Sequence, residues 1–567
     1  MQHTPETNLN ESSGDRLRAR AFIAVTVLTL ALVLGGWLLQ RGLHRGSGSF
    51  ERARLFEQVR ARVANDFVDS IPDGDLFRKA AEGLVRELHD PHSTYLTPEK
   101  LRALNESTTG HYAGIGIQID VRDGWITIVA PLPGTPAERA GIQPGDRIVA
   151  IDGKSTEGAS PDDARGMLRG RNGSPVTLQI ERPGVASRMS FTVARGEIRV
   201  HSVRHASMIG EGVGYIDLTI FSDSSAAEVQ QAVEKLRAQG MKTLVFDLRA
   251  NPGGLLEQGI EVADLFLDSG QPIVSVRGRE SAQSFADEAK QKWPELKLIT
   301  LVDEHSASAA EIVAGALQDH DRAAIVGSTS YGKGSAQSVF PLVDSASALK
   351  LTTALWFTPS GRSIQKAQAP AAADENDDGE DSAPGKAATA ADSGAELPLS
   401  KRQQYRTDDG RVVYGGGGIT PDLLVAPTDS MNGTRAFWRM IGAQAPKFRD
   451  ALTETALAAK GAHAVRSPDF QITDSLRQSL WKRVVAKDIK LDRAHFDSVS
   501  TVVDRLLGIE IARYALGPDA EFRRRLSGDR VIGAALELSN GAQVETDLLR
   551  RAGERRAAKR EDVPHTT

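Results

Sequence analysis

Apolar positions recur along this chain at more than one period. From Phe50 to Leu104 the spacing is helical: Leu55, Val59, Val63 and Phe67 fall four apart, followed by Leu76, Ala80, Leu84 and Leu88. Gly110 to Arg195 shifts to short runs broken by Gly and Pro, the pattern of small β-strands and turns. Between Val200 and Pro427 strands and helices alternate, which predicts an α/β core. The strands are Gly214–Ile220, Thr243–Leu248, Leu298–Val302 and Ala323–Val326, and the helices are Ala226–Gln239, Leu255–Phe266 and Ala309–Gln318. From Thr428 the pattern is helical again. Leu476, Leu480 and Val484 recur at spacing four beside Trp481, Leu506, Ile509 and Ile511 follow, and the polar tail from Arg550 is expected to fray. This extension reads equally as a dimerisation arm or as packing support.

A length of 567 residues implies roughly three or four folding units. A net charge of −5 over that length argues against nucleic acid as a partner, because phosphate binding needs a concentrated basic face. The chain has no cysteine, so disulfides, thiol nucleophiles and thiolate metal sites are excluded. Ala21 to Leu39 carries no charge, and at ~1.5 Å per residue it reaches ~28 Å. It reads as a retained membrane anchor rather than a signal peptide, since no small-x-small cleavage site follows Leu39. Ala367 to Ser400 is a low-complexity insertion of Ala, Asp, Glu and Gly, with disorder expected. Asp374, Asn376, Asp378 and Gly379 imitate the start of a calcium-binding loop. Gly385 stands where its glutamate should be, so no metal is expected.

The candidate chemistry gathers after the strand Leu298–Val302. Ser308 stands at the mouth of the predicted helix, where free amides favour developing negative charge. Ser306 and Ser308 both suit a helix cap, and Ser308 with Glu311 has capping-box spacing. Lys333 follows in the turn Gly332-Lys333-Gly334. A lysine base must be neutral, which for a solvated side chain costs roughly 4–5 kcal/mol near pH 7, and burial can supply a shift of that size. Gly327 to Lys333 imitates a phosphate-binding loop. Gly334 replaces its metal-binding Ser or Thr, and Ser335 to Val343 reads as a strand rather than a helix, so no nucleotide is expected.

The segment "VDEHSASAAEIVAGALQDHDRAAIVGSTSYGKGSAQ" resembles the active-site stretch of the carboxy-terminal processing peptidases, or tail-specific proteases. These are serine–lysine endopeptidases that bind substrates by their C-terminal tails. The resemblance spans most of the chain between about Phe50 and Pro427. "GIGIQIDVRDGWITIVAPLPGTPAERAGIQPGDRIVAIDG" resembles a PDZ domain, and "DLRANPGGL" resembles the family's oxyanion turn. The resemblance implies a multidomain α/β protein: a ClpP/crotonase-like protease core, a β-rich PDZ domain, an N-terminal helical element and a C-terminal helical extension. It implies Ser308 as nucleophile, Lys333 as base and Gln337 as the group that orients the lysine, with the amides of Gly254 and Ala309 holding the oxyanion. In the PDZ segment, Ile115, Gly116 and Ile117 would hold a substrate tail, and Arg169 would report groove occupancy to the active site. The turn at Asp90-Pro91-His92-Ser93 matches a structural turn of the family, so His92 is not assigned to catalysis. One departure is Ala310, where family members commonly carry serine.

The expected organisation is a cytoplasmic tail (1–20), an anchor (21–39), a helical region (50–105), a PDZ domain (106–196), the protease core (197–427) and the C-terminal extension (428–567). The expected location is the inner membrane, single-pass, with the body periplasmic. Partners would be protein substrates through their C-termini and the membrane through the anchor. No metal or cofactor is expected, and a homo-oligomer or an adaptor protein is left open. Two rivals stand against this reading: a non-catalytic PDZ scaffold, which the intact Ser–Lys–Gln set opposes, and a signal peptidase, which the PDZ segment opposes.

Overall fold

The computed structural model describes residues 50–122, 124–182, 185–366, 399–426 and 429–561. The uncharged segment Ala21 to Leu39 and the calcium-loop imitation at Asp374 to Gly385 lie outside them. The chain divides into two units, Met1–Tyr95 and Leu96–Thr567. The expected single-pass placement in the inner membrane is corrected, because no helix among the described residues is long and apolar enough to cross a membrane. Ala445–Gly461 and Glu545–Glu561, among the longest helices described, have 17 residues each, short of a ~30 Å hydrocarbon layer.

In the first unit helix α1 (50–66) forms where the spacing-four pattern predicts it, and α2 (Asp73–Arg86) follows. Acidic Asp73 and Asp75 in the first turn of α2 and Arg86 in the last suit the helix dipole. Leu76 and Val85 of α2 are buried, whereas Leu55, Val59 and Val63 of α1 are exposed. Asp90 builds the predicted turn: its carboxylate accepts the His92 amide at 3.2 Å and the Ser93 hydroxyl at 2.5 Å.

The second unit opens with α3 (Pro98–Thr109), capped by Thr97 and ended by Gly110 at φ 70°. Strands β1 (His111–Gly114) and β7 (Gly196–Arg199) pair with each other and bracket a six-stranded antiparallel sheet. That sheet runs β2 (Ile117–Arg122), β3 (Trp125–Pro131), β4 (Arg147–Ile151), β5 (Pro175–Glu181) and β6 (Met189–Ala194), with a short strand Lys154–Ser155 on β4. β2 is an edge, and helix α4 (Pro161–Leu168) closes the core of Ile126, Ile128, Ile148, Val176 and Leu178.

The α/β core follows. Its six-stranded sheet has the order β8 (Val203–Gly210), β9 (Val213–Leu218), β10 (Thr243–Asp247), β13 (Lys297–Val302), β14 (Ala324–Gly327) and β19 (Leu423–Leu424). β8 pairs with β9 antiparallel, and all later pairs are parallel. Helices α5 (Ser225–Ala238), α6 (Leu256–Asp264) and α7 (Ala309–Asp319) cover one face. The elements match the sequence expectation to within about two residues because buried parallel strands read as continuous apolar runs. A second sheet contains β11 (Pro272–Gly278), β12 (Ala282–Ala286), β15 (Ser335–Pro341) and β16 (Ala348–Phe357). The hairpin of β17 (Gln404–Arg406) and β18 (Val412–Tyr414) then anchors the C-terminal end of α7: Arg411, just before β18, pairs with Asp321 and Asp422.

The C-terminal extension packs within the second unit. Helices α8 (Ala445–Gly461), α9 (Asp474–Ala486) and α10 (Ser500–Ile511) share a core in which Leu480, Val484 and Ile511 are fully buried. α8 also reaches the β2 sheet. Buried Arg122 donates to Thr453 at 3.0 Å and lies 3.7 Å from Asp450, and Arg449 lies 3.5 Å from Asp120. Helices α11 (Arg530–Ser539) and α12 (Glu545–Glu561) cover the second face of the core sheet, where Val531, Ile532, Ala535 and Leu548 meet Val245, Ile299 and Val326. The tail expected to fray is helical through Glu561, held by buried Leu548, Leu549 and Ala552 just before and within it.

Glu545 accepts the Leu298 amide at 2.8 Å and lies 3.4 Å from Arg322. Burial pushes its carboxyl up to about 8 against the pull of Arg322. In the unfolded chain it ionises in the ordinary carboxylate range. Folding therefore retains a proton between that range and about pH 8, and the stability contributed below it is lost as pH rises through the window. The expected outcome is that Glu545→Gln flattens the fall in melting temperature from about pH 5 to about pH 8.5. Parallel melting curves for parent and variant would refute this assignment.

Candidate active site

Strand β13 ends at Val302 and delivers the chain to a turn built by Asp303. Its carboxylate takes the Ala250 amide at 2.9 Å and the His305 amide at 3.1 Å. Ser306 is buried and structural: its hydroxyl donates to the Leu248 carbonyl at 2.8 Å and accepts the Asp303 amide at 2.9 Å. Ser308 then adopts φ 55° and ψ −116° before α7 begins. A non-glycine residue in that region stores of order 1–3 kcal/mol of strain, which surrounding contacts must hold.

Those contacts converge on Glu311, a fully buried side chain one turn into α7. Its Oε2 accepts the Ser308 amide at 2.8 Å and the Lys333 amide at 2.9 Å, and its Oε1 accepts the Ser330 hydroxyl at 2.5 Å and the Gly332 amide at 2.6 Å. Burial raises its carboxyl above the usual range, while these four donors pull the other way. One carboxylate oxygen thus fastens the backbones of Ser308 and Lys333 together, twenty-five positions apart in sequence. Ser330 passes the constraint on by accepting the Ile419 amide at 2.6 Å. Ser308–Glu311 capping-box spacing was the only sequence trace of this network, and it named none of the partners beyond the helix.

The glycine turn closes the other side. Asp247, buried at the end of β10, accepts the Tyr215 hydroxyl at 2.7 Å and pairs with Arg249, which also reaches Asp529 at 2.8 Å. Asn251 donates to the Leu218 carbonyl at 2.7 Å, and its own carbonyl takes the Ala307 amide at 2.9 Å. Gly253 lies so close that a Cβ there would stand 2.7 Å from the Ser308 Cβ. Gly254, at φ 148°, would place a Cβ 2.0 Å from the Phe221 carbonyl oxygen. Among the described residues, the amides of Gly254 and Ala309 have no hydrogen-bond acceptor.

Gln337 lies on β15, beside a β-bulge, and its amide nitrogen donates to Ser335 at 3.0 Å and Thr352 at 3.2 Å. Lys333 is half-buried, and its carbonyl takes the Trp356 indole at 3.0 Å. The strand after Gly334 agrees with the rejection of a phosphate-binding loop. In the β2 sheet Ile115 is buried in the core, with only its backbone left to meet a ligand. The Ile115 and Gly116 carbonyls are taken by Ala137 and Leu132, and among the described residues their amides have no acceptor. Ile117 begins edge strand β2. Arg169 pairs with Glu106 of α3 and lies 4.8 Å over the Tyr112 ring. Asp303, Glu304 and His305 are close enough to share an ion, but Asp303 is already engaged by the turn.

Residues 212–371 match the model of peptidase family S41, and residues 127–182 match that of the PDZ domain. A carboxy-terminal-processing protease of Bartonella bacilliformis is 38% identical over 61% of this chain and 79% of its own length. The carboxy-terminal processing protease CtpA of Bacillus subtilis is 34% identical over 61% of this chain and 73% of its own length. Among solved structures, the photosystem II D1 C-terminal processing protease is 29% identical, covers 55% of this chain and 83% of its own, and superposes with a TM-score of 0.34. The chain belongs to peptidase family S41, as a protease of the carboxy-terminal processing type that carries a PDZ domain.

Proposed function

We propose that the chain cleaves polypeptides by a serine–lysine mechanism and selects them by their C-terminal tails. The observation that carries this reading is the shared Glu311 oxygen, which binds the Ser308 and Lys333 backbones side by side. Ser308 Oγ attacks the scissile carbonyl and passes its proton to the neutral Lys333 amine. The amides of Gly254 and Ala309 receive the oxyanion, and each such donor is worth ~10²–10³ in rate. Lys333 then gives its proton to the departing amine, and water releases the acyl group from Ser308 by the same proton relay. Gln337, held through its amide nitrogen, presents its Oε1 to the lysine amine and keeps it in line.

The tail would bind at Ile115, Gly116 and Ile117. Their amides receive the terminal carboxylate, and the tail pairs with the β2 edge over Ile119 and Met167. Arg169 would couple this groove to α3 through Glu106. The test is one unfolded protein bearing either an apolar or a doubly acidic C-terminal tail. The apolar tail is expected to lower KM about ten-fold, and Ser308→Ala must be blank on both. Equal KM values would remove tail selection from the reading.

A further inference from the structure

The ribbon of β15 and β16 carries an apolar surface. Val339 and Phe340 are 41% and 46% exposed, and as consecutive strand residues they point to opposite faces. Val343, at the turn between the strands, is wholly exposed. The outer end of the ribbon therefore stands in solvent on both sides. Among the described residues β15 pairs with β16 alone, so its other edge offers unpaired backbone groups. Proteins commonly blunt such edges with charge. Ser335 to Phe340 has none, and only Pro341 interrupts it. The ribbon is one margin of a larger sheet, since β11 pairs with β16 over residues 354–357, and a further strand with apolar side chains would extend that sheet along the free edge of β15.

The edge begins two residues after Lys333, and at ~3.3 Å per residue Val339 lies ~20 Å along the strand from it. We propose that this ribbon is a docking strand for the polypeptide being cut. An extended apolar stretch of unfolded chain adds to the free edge of β15 and lays its side chains on Val339 and Phe340, remote from the cleaved bond. This role rests on Ser308 and Lys333 as the catalytic pair. Residues 367–398 suit the edge poorly, since Leu397 is their one large apolar side chain.

The test compares kcat/KM of the full chain on an unfolded protein of about a hundred residues and on an eight-residue peptide of the same scissile sequence and tail. The double variant Val339→Ser/Phe340→Ser, and separately Val343→Ser, are measured beside the parent, with melting temperature as the folding control. The expected result is a fall for the protein about ten-fold larger than for the peptide, carried mainly by KM. Equal falls on both substrates would overturn the proposal. So would a change from dimer to monomer on sedimentation of the double variant, which would give the edge to a second copy. Cleavage surviving in Ser308→Ala would bring down the catalytic assignment first, and the docking role with it.

Discussion

Ser308→Ala is expected to lower kcat by at least about 10⁴-fold, Lys333→Ala by a comparable factor, and the double variant by no more than either alone. Nucleophile and base act in one step, so removing either removes that step. Alanine at 308 keeps the strained backbone at φ 55° and the amide bonded to Glu311. Alanine at 333 likewise keeps the amide held by that carboxylate. Both variants should therefore melt close to the parent, which separates lost chemistry from lost structure. Lys333→Arg sharpens the test, because guanidinium keeps the charge but does not deprotonate in proteins. An inactive arginine variant supports a proton relay, and an active one would show that charge alone suffices. Multiplying losses in the double variant would likewise break the shared-step reading.

The parts of this molecule that were legible in sequence are those whose signal is local. Ser308 could be placed at a helix mouth because a buried strand and an apolar helix flank it within a dozen residues. The strands at Thr243 and Leu298 were legible for the same reason. Partnership across the chain was not. The stripe of Leu55, Val59 and Val63 correctly marks a helix, yet periodicity says only that a face exists, and this face is exposed. The stripe of Leu480 and Val484 looks alike in sequence and is fully buried. The cover of the core sheet by Val531, Ile532 and Ala535 went unread because those residues sit more than two hundred positions from Ile299 and Leu301. The membrane placement rested on one uncharged run and failed to find a spanning helix among the described residues.

Glu311 shows what sequence reasoning missed at the site itself, and its variants should separate chemistry by degree. Glu311→Ala leaves four buried donors: the amides of Ser308, Gly332 and Lys333 and the hydroxyl of Ser330. Each unsatisfied donor costs about 1–3 kcal/mol, although water entering the space left by the side chain would recover part of it. The strained Ser308 backbone would lose its restraint together with its register to Lys333. Loss of kcat by about 10²–10³-fold is expected, with a clear fall in melting temperature. Glu311→Gln should be milder because its amide can choose its orientation. With the nitrogen toward Ser330, whose hydroxyl can turn to accept, the remaining oxygen still holds the Ser308 and Lys333 amides. The Gly332 amide and the Ser330 hydroxyl hydrogen then lose this acceptor, two groups rather than four, and about a ten-fold loss of kcat is expected. KM for the tail should not move in either variant, because the tail groove on β2 belongs to a different sheet. If the glutamine variant falls as far as the alanine variant, the negative charge of Glu311, rather than its two paired acceptors, organises the pair.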